Sequence, residues 1–188
     1  MRVGVLALQG DFAAHAALLE GASVAVELVR KPGQLPGLAA LVIPGGESTA
    51  LLRLMGAEPW FERLRDFHDR GGALLGTCAG AILLAKSVSP AQRSLGLIDI
   101  SVERNGYGRQ VDSFEAALVG GFFSGAGVFI RAPRIVSLGP GVETLASLGG
   151  EPVAVRQGRV LVATFHPELA GDGALHTLLL RAAVPDAA

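Results

Sequence analysis

The chain has 188 residues, of which 50% are hydrophobic and 18% are charged, and its formal net charge is −1. This composition is typical of a compact globular protein, and we expect residues 1–188 to form a single domain. A charge this close to zero gives no electrostatic reason to expect nucleic acid or a membrane as a partner. The one cysteine excludes an internal disulfide and is compatible with a reducing compartment. The N-terminus has no signal-peptide pattern, and we expect a soluble, cytoplasmic protein.

Apolar runs alternate with helix-like segments in the first half of the chain. We predict strands over 3–8, 24–29, 41–43 and 73–75, a turn at 31–33, and helices over 12–20 (capped by Asp11), from near Ser48, over 61–70, and from 81–85 onward. This alternation indicates βαβ units and a parallel sheet. In such sheets ligands bind beyond the carboxyl ends of the strands. Gln9, Gly46 and Cys78 all lie at predicted strand ends, where we therefore expect the site.

The second half is richer in short strand-like runs separated by glycine and charged turns. These runs cover 98–102, 113–118, 128–130, 135–138, 144–148, 152–156 and 160–164, and a helix over 173–183 follows them. We expect mixed or antiparallel pairing in this half. The predicted fold class is α/β, with three layers, a mostly parallel central sheet and flanking helices, as in flavodoxin-like folds.

Cys78 lies at the centre of Gly76-Thr77-Cys78-Ala79-Gly80, between a strand-like and a helix-like apolar run. A strand that turns sharply into a helix through Gly-x-nucleophile-x-Gly is a nucleophile elbow. The flanking glycines leave room for a tight turn that holds the central residue in strained backbone geometry. The alternative is that Cys78 is a small buried hydrophobic residue, as lone cysteines in apolar stretches usually are.

His166 differs from the other histidines because it follows an apolar strand and precedes Pro167-Glu168. Residues i and i+2 of extended backbone face the same side, so Glu168 can orient one ring nitrogen while the other faces a nucleophile. A simple turn at the strand end is the alternative. For the remaining histidines, His15, His68 and His176, a structural or solvated role is the better interpretation.

Two further segments carry residue types that suit a site for a polar ligand. Pro44-Gly45-Gly46-Glu47-Ser48 places a double glycine at a strand end, where exposed backbone N–H groups could form an oxyanion hole. Arg104, Arg109 and Arg131 stand beside glycine turns or apolar strands and could bind a carboxylate. An ordinary strand-to-helix turn and ordinary surface charge are the alternatives.

Taken together, motifs spread over almost the whole chain resemble a known family. The motifs are Leu8-Gln9-Gly10, Pro44-Gly45-Gly46-Glu47-Ser48, Gly76-Thr77-Cys78-Ala79-Gly80, Val102-Glu103-Arg104-Asn105, Tyr107-Gly108-Arg109-Gln110, Ser113-Phe114-Glu115, Val128-Phe129-Ile130-Arg131-Ala132-Pro133 and Phe165-His166-Pro167-Glu168-Leu169. They resemble the glutaminase subunits of pyridoxal 5′-phosphate synthase, which are class I (triad) glutamine amidotransferases. The cysteine elbow and His-x-Glu specify only the wider class, and the other segments point to the vitamin B6 member.

The resemblance implies hydrolysis of L-glutamine to L-glutamate and ammonia, and it implies a role for each matching residue. Cys78 would be the nucleophile, His166 the base and Glu168 its orienting partner, with the N–H groups of Gly46 and Ala79 as the oxyanion hole. Glutamine would contact the following residues: Gly46, Glu47, Ser48, Arg104, Ile130 and Arg131. The chemistry requires no metal, and Cys78 with His166 alone would make a poor metal site.

The resemblance also implies a partner. The chain would work in a large hetero-oligomer, docked on a (β/α)₈-barrel synthase subunit that uses the ammonia. Pyridoxal 5′-phosphate would be the product of that complex, so no cofactor is expected in this chain. Three alternatives remain at this stage: a class I glutaminase subunit that serves another biosynthetic synthase, a stress or deglycase-like protein with a cysteine elbow, and a catalytically silent binding module. The second does not need His-x-Glu, so residues 166–168 count against it. An intact Cys-His-Glu set counts against the third.

Overall fold

The computed structural model describes residues 1–107, 113–121 and 125–184. Gly108, Arg109 and Gln110 of the predicted Tyr-Gly-Arg-Gln motif lie outside the described residues. The strands are β1 (Arg2–Leu6), β2 (Ala25–Val29), β3 (Ala40–Ile43), β4 (Ala73–Thr77), β5 (Ala85–Ser89), β6 (Ile98–Glu103), β7 (Phe114–Ala117), β8 (Ala126–Phe129), β9 (Arg134–Leu138), β10 (Glu143–Leu148), β11 (Glu151–Gln157) and β12 (Val160–Ala163). The helices are α1 (Phe12–Glu20), α2 (Ser48–Met55), α3 (Trp60–Asp69), α4 (Ala79–Leu84) and α5 (Ala174–Ala183), with a 3₁₀ turn at Pro32–Gln34.

The described strands form a central sheet in the order β10-β11-β12-β4-β3-β1-β2. Strands β2, β1, β3, β4 and β12 are parallel, and β11 and β10 extend the sheet in antiparallel fashion. The predicted α/β fold with a mostly parallel sheet is therefore confirmed. The expected mixed pairing of the second half is also confirmed, since β5-β6-β9 is a mixed sheet and β7-β8 an antiparallel hairpin.

Strand residues alternate between two hydrophobic cores, which makes the three layers. On β3, Leu41 and Ile43 face one core with α2, α3 and α4, while Ala40 and Val42 face the other with α1 and α5. A period of two is the geometry of extended backbone, and a strand apolar at every position is therefore covered on both faces.

Three local predictions are wrong or displaced. The helix after Cys78 ends at Leu84, and Ala85 begins β5, a strand that was not predicted. Strand β1 ends at Leu6 instead of residue 8. Asp11 is the residue before α1, but its side chain makes no capping hydrogen bond, since its ψ of 49° departs from the extended backbone of a capping residue. Among the described residues, no helix has both the length and the apolar character needed to cross a bilayer.

Candidate active site

Cys78 occupies a nucleophile elbow between β4 and α4. Its φ of 46° and ψ of −102° are strained values for a residue with a side chain. Close contacts explain both flanking glycines: a Cβ on Gly80 would lie 2.0 Å from the carbonyl oxygen of Ile43, and one on Gly76 would lie 2.6 Å from the backbone of Gly80. The helix therefore starts directly against the sheet.

His166 and Glu168 follow β12, the strand beside β4. The backbone N–H of Cys78 donates to Ala163 O at 2.9 Å, which joins the elbow to the end of β12. The N–H of His166 donates to Val128 O at 2.8 Å. The structure thus brings the three predicted triad residues together at the carboxyl edge of the sheet.

The His166 ring links the other two triad side chains. Its Nδ1 lies 2.7 Å from Glu168 Oε1. Its Cε1 and the Cβ of Cys78 both pack against Gly45, where an added Cβ would lie 2.4 Å and 3.1 Å from them. Burial lowers the pKa of His166, but the neighbouring Cys78 and Glu168 side chains outweigh it and raise the pKa to about 10. The imidazolium is therefore the stable form at neutral pH, as a group that must protonate a departing amine requires.

The backbone around Gly46 is held by Gln9, which lies three residues after the end of β1. The Gln9 side chain donates to Gly45 O at 3.4 Å and accepts from the N–H of Glu47 at 3.0 Å. Because a trans peptide points its C=O and N–H in opposite directions, the N–H of Gly46 is directed away from Gln9. Gly45 itself packs so tightly that a Cβ there would lie 2.4 Å from His166 Cε1 and 3.1 Å from Cys78 Cβ.

A cavity of about 240 Å³ opens above Cys78 and His166. Every residue that the resemblance assigns to glutamine lines it, and the lining comprises Gly10, Asp11, Gly45, Gly46, Glu47, Ser48, Cys78, Ile82, Arg104, Asn105, Ile130, Arg131 and His166. Ala79, the expected second oxyanion donor, is the first residue of α4, where a backbone N–H has no acceptor within the helix. Glu168 is buried behind His166.

The cavity carries charges of both signs. Glu47 Oε2 lies 3.4 Å from Arg131 Nη1, and Glu47 Oε1 lies 3.9 Å from Arg104 Nη2. Arg131 has a strained φ of 44°, and the Ile130 carbonyl just before it lies 4.0 Å from Cys78 Sγ. The two guanidinium groups can bind the carboxylate of an amino acid, and the Glu47 carboxylate can bind its ammonium group.

Sequence reasoning missed a second set of polar side chains behind the triad. His15 and His176 are buried, with His15 Nδ1 2.8 Å from His176 Nε2. His15 Nε2 lies 3.3 Å from Glu168 Oε2 and 3.2 Å from Thr77 Oγ1. The sequence predicted a structural or solvated role for these two histidines and did not indicate their contact with Glu168.

His68 is partly exposed on α3, beside Asp69. The described residues form no group of three or more His, Cys, Asp and Glu side chains suited to a metal ion.

Residues 5–184 match the sequence profile of the SNO glutamine amidotransferase family. The chain belongs to this family. The amidotransferase is 54% identical over 186 residues to the pyridoxal 5′-phosphate synthase subunit PdxT of Koribacter versatilis, covering 96% of this chain and 95% of that protein. It is 51% identical over 188 residues to the subunit of the same name from Deinococcus radiodurans, with 96% of each chain covered.

Solved structures agree with this assignment. A crystal structure described as a glutamine amidotransferase superposes with a TM-score of 0.90 at 50% identity, covering 96% of this chain and 98% of that one. A chain of the PurLQS structure from Thermotoga maritima superposes with a TM-score of 0.69 at 18% identity, covering 96% of this chain and 97% of that one. At that identity, the second match shows the shared fold alone.

Proposed function

We propose that this amidotransferase hydrolyses L-glutamine to L-glutamate and ammonia at Cys78 and passes the ammonia to a synthase that makes pyridoxal 5′-phosphate. The observation that carries the proposal is the His166 ring, which is hydrogen-bonded to Glu168 and lines the same cavity as Cys78, together with side chains of both charge signs. The relatives named PdxT, at about half identity over nearly the full chain, support this choice of pathway over other synthases.

The reaction proceeds in two steps at the same sulfur. The Cys78 thiolate attacks the carboxamide carbon, and the protonated His166 gives its proton to the amide nitrogen, so that ammonia leaves and a glutamyl thioester remains. Neutral His166 then takes a proton from water, whose oxygen attacks the thioester and releases glutamate and the thiolate. Glu168 orients the ring and stabilises its charge without transferring a proton itself.

The developing oxyanion in each step is stabilised by the N–H groups of Gly46 and Ala79. Such donors are typically worth roughly 3–4 kcal/mol each, since they act where charge appears only in the transition state. The α-carboxylate and α-ammonium of glutamine bind among Glu47, Arg104 and Arg131. Ser48 and the backbone of Ile130 complete the contacts.

A partner completes the function. The amidotransferase docks on a (β/α)₈-barrel synthase subunit in a large hetero-oligomer, with Gln9 and α1 as the candidate docking face. Gln9 is well placed for this, because it holds the Gly45–Gly46 peptide on which the oxyanion hole depends. A nucleophilic thiol must stay reduced, which fits the cytoplasm. No cofactor is needed for the amide cleavage itself.

The proposal is tested by glutamine hydrolysis with the synthase present. Cys78→Ala should abolish it, and a glutamine-analogue electrophile should label the wild type once, because Cys78 is the only thiol. His68→Leu, on the surface of α3, is the matched control and should hydrolyse glutamine like the wild type. Near-normal hydrolysis by folded Cys78→Ala would overturn the mechanism.

A further inference from the structure

Behind Glu168 lies a buried polar cluster that the proposed chemistry at Cys78 does not use. It consists of His15 on α1, Thr77 at the end of β4 and His176 on α5, and we call His15 and His176 the histidine pair. The exposed fractions of the pair are 0% and 2%. Buried polar rings are costly unless their nitrogens are satisfied, so the contacts of the pair need an explanation.

One oxygen of Glu168 binds the catalytic ring, and the other faces the histidine pair. Oε1 lies 2.7 Å from His166 Nδ1, whereas Oε2 is buried and makes no hydrogen bond with the described residues. His15 Nε2 lies 3.3 Å from that oxygen, within ion-pair distance but outside hydrogen-bond geometry.

The partners assign the tautomers of both rings. His15 Nε2 is hydrogen-bonded to Thr77 Oγ1 at 3.2 Å, and this hydroxyl can donate or accept. The Glu168 carboxylate, 3.3 Å from the same nitrogen, only accepts, so Nε2 carries the hydrogen and Thr77 Oγ1 accepts it. Neutral His15 then has a lone pair on Nδ1, which accepts from His176 Nε2–H at 2.8 Å. In the opposite assignment a lone pair would face the Glu168 carboxylate, and an unpaired N–H donor would be buried at His176 Nδ1, which has no hydrogen-bond partner among the described residues.

Both members of the pair are neutral in the working pH range. Burial, followed by the charges of His176 and His166, lowers the pKa of His15 to about 3. Burial also lowers the pKa of His176 to about 4, against the opposing effect of Asp172. A neutral donor orients Glu168 without cancelling its negative charge, whereas a protonated His15 would compete with His166 for that charge.

We propose that His15, held in its tautomer by His176, is a positioning residue that directs the Glu168 carboxylate towards His166. The inference rests on the proposed function, because it concerns the same triad. A purely space-filling role explains the pair less well, because apolar side chains would fill this core without leaving His176 Nδ1 buried and unpaired.

The test compares substitutions that keep or remove the N–H facing Glu168. In His15→Gln, the side-chain amide nitrogen of the new residue can take the place of His15 Nε2, so this variant should retain most of the activity. His15→Asn and His15→Leu cannot reach Glu168 with a donor. In the complex with the synthase, these two should lower kcat for glutamine about tenfold and leave KM within about twofold, because the pair does not contact substrate.

A second measurement follows Cys78 without glutamine or partner. The rate of alkylation by iodoacetamide, measured against pH on the full chain, reports how the reactivity of the Cys78 sulfur depends on the charge of the nearby His166 ring. With Glu168 held less firmly, the alkaline transition that belongs to His166 should move to lower pH in His15→Leu. It should stay at the wild-type position in His15→Gln and in the surface control His68→Leu.

The outcomes separate this inference from the proposed function. If folded His15→Leu shows wild-type kcat and an unchanged pH profile, the positioning role is overturned while the proposed function stands. If His15→Gln is as impaired as His15→Leu, the tautomer assignment is wrong. Should the His15 variants fail to fold, the same measurements are made on His176→Gln and His176→Asn. His176→Gln keeps a donor for His15 Nδ1 and should therefore retain more activity than His176→Asn.

Discussion

The carbonyl oxygen of Ile43, at the end of β3, lies 2.0 Å from where a Cβ on Gly80 would be. This contact seats the first turn of α4 on the neighbouring strand and thereby fixes the direction of the Cys78 elbow. The backbone of β3 cannot move away cheaply, because Ile43 is buried in the core shared with α4.

Gly80→Ala should therefore disrupt the elbow. We expect a loss of about 1–3 kcal/mol in the free energy of unfolding, as for overpacked cores, together with a large loss of glutamine hydrolysis. Urea unfolding and the glutaminase assay measure the two effects. Gly33→Ala is the matched control, since a Cβ at Gly33 meets nothing within 4 Å. Equal stability and activity in both variants would mean that α4 does not depend on this contact.

The roles of His166 and Glu168 differ in the proposed mechanism, and so should their substitutions. His166→Asn removes the group that moves the proton and should reduce glutamine turnover severely. Glu168→Gln keeps an acceptor for His166 Nδ1–H and should cost less, although it removes the charge that helps to raise the pKa of His166. Steady-state kinetics with the synthase present rank the two. A Glu168→Gln variant that is more impaired than His166→Asn would contradict this division of roles.

The histidine pair makes stability sensitive to acid. The ordinary pKa of 6.5 applies to the unfolded chain, while burial first of all lowers the pKa to about 3 for His15 and about 4 for His176. Between these values and 6.5 the unfolded state binds more protons, so stability is fully present above 6.5 and falls as the pH decreases, by up to roughly 1.4 kcal/mol per pH unit for each group. His15→Gln with His176→Gln should flatten this decline. If the unfolding free energies of the wild type and the double variant fell in parallel between pH 7 and 4, the lowered pKa values of His15 and His176 would be contradicted.

Much of the active site can be predicted from sequence because its signals are local. Gly-x-Cys-x-Gly and His-Pro-Glu each determine their local backbone geometry within five residues, and both lie at the carboxyl edge of the sheet, as predicted. The histidine pair has no such signal, because 161 positions separate His15 from His176 and their contact depends on how α1 and α5 pack. Strand β5 was missed for a related reason: Ala85 continues the apolar run of α4, and only the pairing with β6 decides where the helix ends.

Partner activation gives a further prediction. The Gln9 side chain contacts the backbone on both sides of Gly46, at Gly45 O and at the N–H of Glu47, so a docked synthase that displaces Gln9 can reorient the N–H of Gly46. The isolated chain should therefore hydrolyse glutamine poorly, and turnover should rise strongly when synthase is added. Titration of synthase into the glutaminase assay measures the rise. Turnover that is equal with and without synthase would remove activation by the partner from the account.

In the proposed function, this chain supplies ammonia and nothing else to the synthase. Its sequence carries no P-loop pattern for a phosphate, and the proposed function assigns the steps that use the ammonia to the synthase. The most direct measurement is pyridoxal 5′-phosphate formation by synthase paired with Cys78→Ala, given either glutamine or an ammonium salt at alkaline pH. We expect no product with glutamine and normal formation with ammonium. A Cys78→Ala complex that stays inactive with ammonium, while synthase alone is active, would contradict this expectation.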